Sequence, residues 1–275
     1  MNTNEELVDH LKKLKDKCLE GCSIDDLKLD LFDVIHGYQY KIPGVTHMTI
    51  FRSRNFYDSP IPMDNIREYV HPLPHLVKEN QRANRAFSTM LYGSLLKETA
   101  VCEINPKIGD YISILALENK DKSKHILLCP FGYDHEALVS EGVRRRGPPI
   151  DIYTRENVSH LDRNKIVQGF FSEIYTDRSK QFYNLSIAIT ESCLTAAELH
   201  GIIYPSIAFG LSSTNLALKN SSVDLFTYPL EDSPLYYYKV IEKNIDKFEL
   251  QPVARLKEMD IRSGLIEWQF AQSNE

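Results

Sequence analysis

Glu103 is the side chain in this sequence that is most at odds with its predicted surroundings. It lies in LLKETAVCEI (95–104), where the apolar residues recur with the spacing of an amphipathic helix. On a period of 3.6 residues Leu96, Thr99, Ala100 and Glu103 share one face, so the pattern predicts a carboxylate on the side that packs against the core. A carboxylate in that position is costly unless it is paired or hydrogen-bonded.

Further polar side chains stand where an apolar residue would be expected, within predicted strands, at their ends or just before them. They are Arg52, Arg82, Asn84, Tyr92, Ser206 and Asn215. Arginines bind phosphates, an aromatic ring packs against a ring, and a carboxylate can hold hydroxyls or stabilise positive charge on a sugar carbon. The set therefore favours an anionic ligand that carries a sugar. A structural ion pair that bridges two strands is the alternative.

Several familiar sites are missing from the sequence. No two glycines are spaced as G-x-G, which excludes a Rossmann loop, and neither a Walker loop nor a G-x-S-x-G elbow is present. His71 and His75 are separated by prolines that prevent the helical spacing of a metal pair, so we expect a rigid loop and no metal there. The RRRGPP segment (144–149) is expected to be a solvated turn.

The bulk composition is that of an ordinary globular protein. The chain has 275 residues, 43% hydrophobic and 25% charged, with a net charge of -6. The negative charge argues against nucleic acid or an anionic membrane as a default partner. No apolar run approaches the roughly 18 residues that a membrane helix needs, and an odd count of five cysteines suits a reducing compartment. We therefore expect a soluble, cytoplasmic protein.

The order of predicted elements indicates an α+β fold with a mixed sheet. Helices are predicted at 2–36, with Ser23 starting the second, and at 95–104, 164–175 and 181–199. Strands are predicted at 46–52, 87–94, 110–118, 125–130, 202–206, 214–218, 224–230, 235–241 and 265–270.

The polar positions occur in blocks that resemble the RES domain family. The blocks are FRSR (51–54), RAN…LYGS…ETAVCEI (82–104), GDYISI (109–114) and GIIYPSIAFGLSSTNLAL (201–218). The similarity covers residues 47–220. It divides the chain into an N-terminal helical extension (1–45) and a RES-like catalytic domain (46–275), which ends in the strands of 221–275.

The resemblance implies a fold like that of ADP-ribosyltransferase toxins and NAD⁺ as the substrate, with no bound cofactor. Family members cleave the nicotinamide–ribose bond by hydrolysis, by phosphorolysis or by transfer of ADP-ribose to a protein. Many are toxins that a helix-turn-helix antitoxin neutralises, and others deplete NAD⁺ in antiphage defence. An antitoxin or regulatory protein and a second copy of the chain are therefore the protein partners to consider.

Carried onto this sequence, the resemblance gives each residue an expected role. Arg52, Glu103 and Ser206 would be catalytic, and Arg82, Asn84, Tyr92 and Asn215 would bind substrate. Two alternatives to an NAD⁺-degrading enzyme remain at this point. They are a protein ADP-ribosyltransferase and a nucleotide-binding module without activity.

Overall fold

The computed structural model describes most of the chain and shows a large, mostly antiparallel sheet with helices. The described residues are 3–36, 38, 44–45, 47–131, 158–195, 198–209, 213–228, 233–244, 247–260 and 262–272. Within them the fold is α+β, as the sequence predicts. The RRRGPP turn lies outside the described residues.

Five α-helices are described. They are α1 (Asn4–Leu19), α2 (Ile24–His36), α3 (Lys97–Ile104), α4 (Val158–Thr176) and α5 (Tyr183–Cys193). Ser23 does start α2, because its hydroxyl accepts a hydrogen bond from the Asp26 amide at 3.2 Å. The predicted helix at 181–199 ends earlier, at Cys193.

Eleven strands of the described chain form the sheet. They are β1 (Gly44–Val45), β2 (Thr49–Asn55), β3 (Met90–Ser94), β4 (Tyr111–Asn119), β5 (Ile126–Pro130), β6 (Gly201–Pro205), β7 (Thr214–Lys219), β8 (Phe226–Thr227), β9 (Leu235–Lys243), β10 (Phe248–Met259) and β11 (Ile266–Phe270). The strand order is β1-β5-β6-β7-β3-β2-β4-β9-β10-β11, with β8 paired to β4. The β5–β6 pair is parallel and the other pairs are antiparallel.

Two of the strand predictions need correction. The segment 224–230 holds only the two-residue β8, preceded by a 3-10 turn at Asn220–Leu225, and residues 229–230 lie outside the described part. The twelve-residue strand β10 has no counterpart in the prediction. Most of its side chains are exposed or half-buried on both faces, so the apolar alternation that reveals a strand is absent.

The N-terminal helices belong to the main core. Leu7, Leu11 and Leu14 of α1 and Leu27 and Leu31 of α2 are at most 3% exposed. They share one apolar cluster with α4, α5 and the inward side chains of β3, β5, β6 and β7. The helical extension therefore packs on its own chain and covers one face of the sheet.

The strands β2 and β3 open a cleft in the sheet. They pair only at Phe51 and Ser94, and beyond this point no register pair joins them. Gly93 makes the close approach possible, because a Cβ there would lie 2.4 Å from Ile50 Cγ2 and 3.1 Å from the Phe51 carbonyl oxygen. Helix α3 follows β3 directly and borders this cleft.

Among the described helices, none combines the length and the apolar character that crossing a bilayer requires.

Candidate active site

Glu103 lies in the last turn of α3 and is anchored through one of its two carboxylate oxygens. Its Oε1 accepts hydrogen bonds from Ser206 Oγ and from Asn215 Nδ2, both at 2.6 Å. Within the described part of the chain no hydrogen bond or ion pair reaches Oε2. The carboxylate is therefore fixed in direction while one oxygen is left for a ligand.

The prediction that Glu103 is buried is wrong. The face is correct for Thr99 and Ala100, which are buried, but Leu96 and Glu103 are exposed. Helix α3 ends at Ile104, where Asn105 takes a left-handed backbone conformation with φ of 43°. A side chain in this final turn borders open space, so Glu103 stands at the rim of a cleft and not in a dry interior.

Asn215 is held in its orientation by a neighbouring strand. Ser94 on β3 faces Asn215 on β7 in the register, and Ser94 Oγ donates to Asn215 Oδ1 at 2.7 Å. Both side chains are at most 4% exposed. With the amide oxygen held in this way, the amide nitrogen is directed to Glu103.

Ser206 follows β6 and is fully buried. Its hydroxyl donates to Glu103 and also accepts a hydrogen bond from the Phe209 amide at 3.1 Å. The hydroxyl thus acts both as a donor and as an acceptor within the protein. This arrangement suits a group that orients the carboxylate better than one that attacks a substrate.

Arg52 on β2 is a half-buried side chain whose guanidinium has no acidic partner among the described residues. Its Nη1 donates to the Tyr92 carbonyl oxygen at 2.8 Å, and its Nε is buried with no hydrogen-bond partner in the described part of the chain. No carboxylate of the described residues lies within 4 Å of it, Glu103 included. Burial, with a smaller contribution from Arg54, lowers the pKa of Arg52 to about 10. A desolvated guanidinium of this kind can bind an anionic ligand.

Arg82 is partly committed to the end of helix α4. It donates to the carbonyl oxygens of Tyr175 at 2.6 Å and Asp177 at 3.1 Å, and its guanidinium lies 5.5 Å from the centre of the Tyr183 ring. These contacts fix the guanidinium against the helix terminus. They do not pair it with a carboxylate, so its positive charge remains available to the cleft.

Two cavities meet at Glu103. The smaller, of about 230 Å³, is lined by Arg52, Ser94 and Asn215 among others. The larger, of about 500 Å³, is lined by Arg82, Lys180 and Tyr183 among others. Glu103, Tyr92 and Tyr204 line both cavities. Sites for small molecules commonly enclose about 300–1,000 Å³, and the two cavities together are of that size.

Tyr92 and Asn84 form a unit behind this cleft. The Tyr92 hydroxyl donates to Asn84 Oδ1 at 2.7 Å and accepts from the Ala83 amide at 2.9 Å, and burial raises the pKa of Tyr92. The Asn84 amide nitrogen donates to the carbonyl oxygens of Arg85 and Ser88. Tyr92 therefore offers only its ring to the cleft, and Asn84, which is buried and lines neither cavity, supports that ring.

The structure thus places the predicted residues around Glu103, but not all of them in the same cavity. Arg52, Tyr92, Glu103 and Asn215 line one cavity, Ser206 holds Glu103 from below, and Arg82 lines the second cavity. The expected pairing of Glu103 with an arginine does not occur among the described residues. Neutral donors compensate the carboxylate instead.

Two tyrosines of the cleft, Tyr204 and Tyr183, are not among the residues predicted from the sequence. Tyr204 stands two residues before Ser206, and because side chains alternate along a strand it had to share the face of Ser206. Strand alternation was therefore sufficient to place Tyr204 in the cleft. Tyr183 begins α5, and nothing in its local sequence indicates that it faces a cavity.

In comparisons with known proteins, no family model matches this chain, and no curated protein matches it either. The function proposed for it therefore depends on the geometry of the cleft.

Proposed function

We propose that this protein is an NAD⁺-degrading enzyme that cleaves the bond between nicotinamide and ribose, by hydrolysis or by phosphorolysis. The observation that carries the proposal is Glu103, which is anchored through Oε1 and open at Oε2 where two arginine-bearing cavities meet. The residue blocks that resemble the RES domain, and the likeness to ADP-ribosyltransferase toxins that they imply, point the same way.

The chemistry requires a negative charge next to a sugar carbon. When nicotinamide leaves, the ribose passes through an oxocarbenium-like transition state, as in other glycosyl cleavages. Glu103 would stabilise that cation or hold the ribose hydroxyls. Glu103 is exposed at the rim of the cleft, and bound substrate would displace water from it and strengthen its attraction to the cation.

The two arginines suit the pyrophosphate of a dinucleotide. Arg52 carries a desolvated charge that no carboxylate of the described residues pairs with, and the charge of Arg82 is held at the wall of the larger cavity. Arginine binds phosphate oxygens by charge-assisted, often bidentate hydrogen bonds. Ser206 and Asn215 would act through Glu103 and not on the substrate directly, and Tyr92 would supply a ring surface.

Replacing Glu103 with glutamine is the direct test. The amide would keep an oxygen for the Ser206 and Asn215 donors but would carry no charge, so we expect NAD⁺ consumption to fall by about 100-fold or more. Loss of NAD⁺ and release of nicotinamide are measured with purified protein. Glu98→Gln is the matched control, because Glu98 is an exposed carboxylate of the same helix and lines neither cavity. A folded Glu103→Gln variant with the wild-type rate would refute the assignment.

The same assay separates the alternatives. With NAD⁺ labelled in its adenosine, label on protein would favour ADP-ribosyl transfer, and released ADP-ribose would favour hydrolysis. A rate that depends on added phosphate would favour phosphorolysis. Calorimetric binding of NAD⁺ without turnover would favour a nucleotide-binding module.

A role as a toxin or antiphage effector in the cytoplasm is part of the proposal. A protein that removes NAD⁺ in this way would need an antitoxin or another regulatory partner. We expect cellular NAD⁺ to fall when the chain is expressed alone.

A further inference from the structure

Tyr204 is, with Tyr92, one of two tyrosines that line both cavities of the cleft. It lies on β6, is 6% exposed, and lines both cavities together with Glu103. Its ring packs against Tyr175 with the centroids 5.5 Å apart, which fixes its position from behind. The side chain is therefore held rigidly at the junction where a ligand would cross from one cavity to the other.

The hydroxyl of Tyr204 has no hydrogen-bond partner among the described residues. This sets it apart from other enclosed tyrosines of the chain. Tyr92 donates to Asn84, Tyr175 donates to the Ser186 carbonyl oxygen at 2.8 Å, and Tyr237 donates to the Ser59 carbonyl oxygen at 2.8 Å. An enclosed tyrosine hydroxyl normally finds a partner. Tyr204 lines both cavities, where water or a ligand can supply the partner.

The hydroxyl is a hydrogen-bond donor at any physiological pH. Burial, and then the nearby Tyr92 and the negative charge of Glu103, raise the pKa of Tyr204 well above its usual value of 10. Glu103 Oε2 is an acceptor only. The lining that the two cavities share thus contains one neutral donor and one charged acceptor.

We infer that Tyr204 contacts the ligand and that, together with Glu103, it selects a ribose-like vicinal diol. Each hydroxyl of a diol can both donate and accept, so one can donate to Glu103 Oε2 while its neighbour accepts from Tyr204. A deoxy sugar would leave the donor or the acceptor unpaired. This inference rests on the proposed function, because it assumes that a ribose lies between the two cavities.

Binding of ADP-ribose and of ADP, measured by calorimetry, tests the role of the hydroxyl. Wild-type protein is expected to bind ADP-ribose more tightly than ADP, which lacks the second ribose. Tyr204→Phe removes only the hydroxyl, so we expect its affinity for ADP-ribose to fall about five- to tenfold and its affinity for ADP to stay at the wild-type value. Tyr237→Phe is the control. It loses a hydroxyl that is already paired outside the cleft, so it should lower the melting temperature and leave both affinities unchanged.

A second measurement needs no variant. Ribose 5-phosphate is expected to compete with ADP-ribose more strongly than 2-deoxyribose 5-phosphate does, because only the former carries the complete diol. Equal competition would overturn the inference, as would a folded Tyr204→Phe variant with wild-type affinity for ADP-ribose. Absence of ADP-ribose binding by the wild type would also overturn it. Binding with the expected selectivity but without NAD⁺ consumption would refute the proposed function and leave the role of Tyr204 standing.

Discussion

Arg52 is a charge that the fold keeps at a cost. Among the residues that the structure describes, its guanidinium makes one hydrogen bond, to the Tyr92 carbonyl oxygen, and its buried Nε has no partner. A pKa lowered to about 10 corresponds to a penalty on the order of 3 kcal/mol for keeping the side chain charged at neutral pH. In a purely structural ion pair the guanidinium would contact a carboxylate. A desolvated guanidinium that contacts none of the described carboxylates is instead typical of a site that binds an anion.

Arg52→Met should separate stability from binding. Methionine fills a similar length without a charge, so we expect the free energy of unfolding to be unchanged or higher, and NAD⁺ consumption to be lost. Urea denaturation and the nicotinamide assay measure the two quantities. A large loss of stability together with full activity would show instead that Arg52 serves the fold.

At the scale of elements, the loop that carries Arg82 and Asn84 is tied to two helices by Arg85. Its guanidinium donates to Glu191 of α5 at 2.7 and 2.9 Å and to Asp25 of α2 at 3.0 and 2.5 Å. Lys28 Nζ lies 2.8 Å from the Glu191 carboxylate. The hydrogen bonds that Arg85 donates to Asp25 and Glu191 raise the pKa of Arg85. Burial acts to raise the pKa of Glu191, but the hydrogen bonds that it accepts from Arg85 and Lys28 outweigh burial and lower that pKa. Helix α2 therefore helps to hold one wall of the cleft.

The two acidic partners of Arg85 should not contribute equally to the free energy of unfolding. The side chain of Glu191 is 29% exposed and that of Asp25 is 71% exposed, so solvent screens the second pair far more. We expect Glu191→Gln to lower the free energy of unfolding by about 1–3 kcal/mol, because it weakens hydrogen bonds to two charged groups. Asp25→Asn should cost measurably less.

Urea denaturation of the two variants beside the wild type gives the comparison. If Asp25→Asn were the more damaging change, the cluster would be organised around α2 and not around α5.

At the scale of the whole molecule, two half-buried histidines make the fold sensitive to acid. Burial, followed by the charge of Arg52, lowers the pKa of His71, although Asp224 opposes the shift. Burial, followed by the charge of Lys219, lowers the pKa of His200, whose Nδ1 accepts a hydrogen bond from the Leu127 amide at 2.9 Å. Protonation of His200 at Nδ1 would remove that hydrogen bond between β5 and the start of β6.

Stability should therefore fall as the pH drops below about 6.5. Between this usual histidine value and the lower folded pKa the unfolded chain binds more protons than the folded protein, so acid favours unfolding. We expect the urea midpoint to decrease from pH 7.5 to 5.5. His200→Gln, which keeps an acceptor, should flatten this dependence, whereas His125→Gln, at an exposed position, should preserve it. A midpoint that is constant over this range would contradict the prediction.

Local patterns were sufficient for most elements of the fold. The leucine face of α1, the serine that starts α2, and the apolar strands β4, β6 and β7 were predicted because periodicity and caps depend on neighbours in the sequence. Strand β10 was missed because it is stabilised by backbone pairing with β9 and β11, its neighbours in the chain, and such pairing leaves no apolar pattern in a strand that is solvated on both faces.

The sequence by itself determined which residue types stand at strand ends and helix turns, and so it identified Glu103, Arg52, Ser206 and Asn215 as one set. Only the tertiary structure decided how they meet. Strand order brings Ser206 and Asn215 to the same carboxylate oxygen, the end of α3 leaves Glu103 exposed, and Tyr204 completes the junction. The physical reason is that each side chain's chemistry is given by its own position in the sequence. Its partners, its burial and the hydrogen-bonding capacity that it keeps for a ligand are set by segments more than 100 residues apart in the chain.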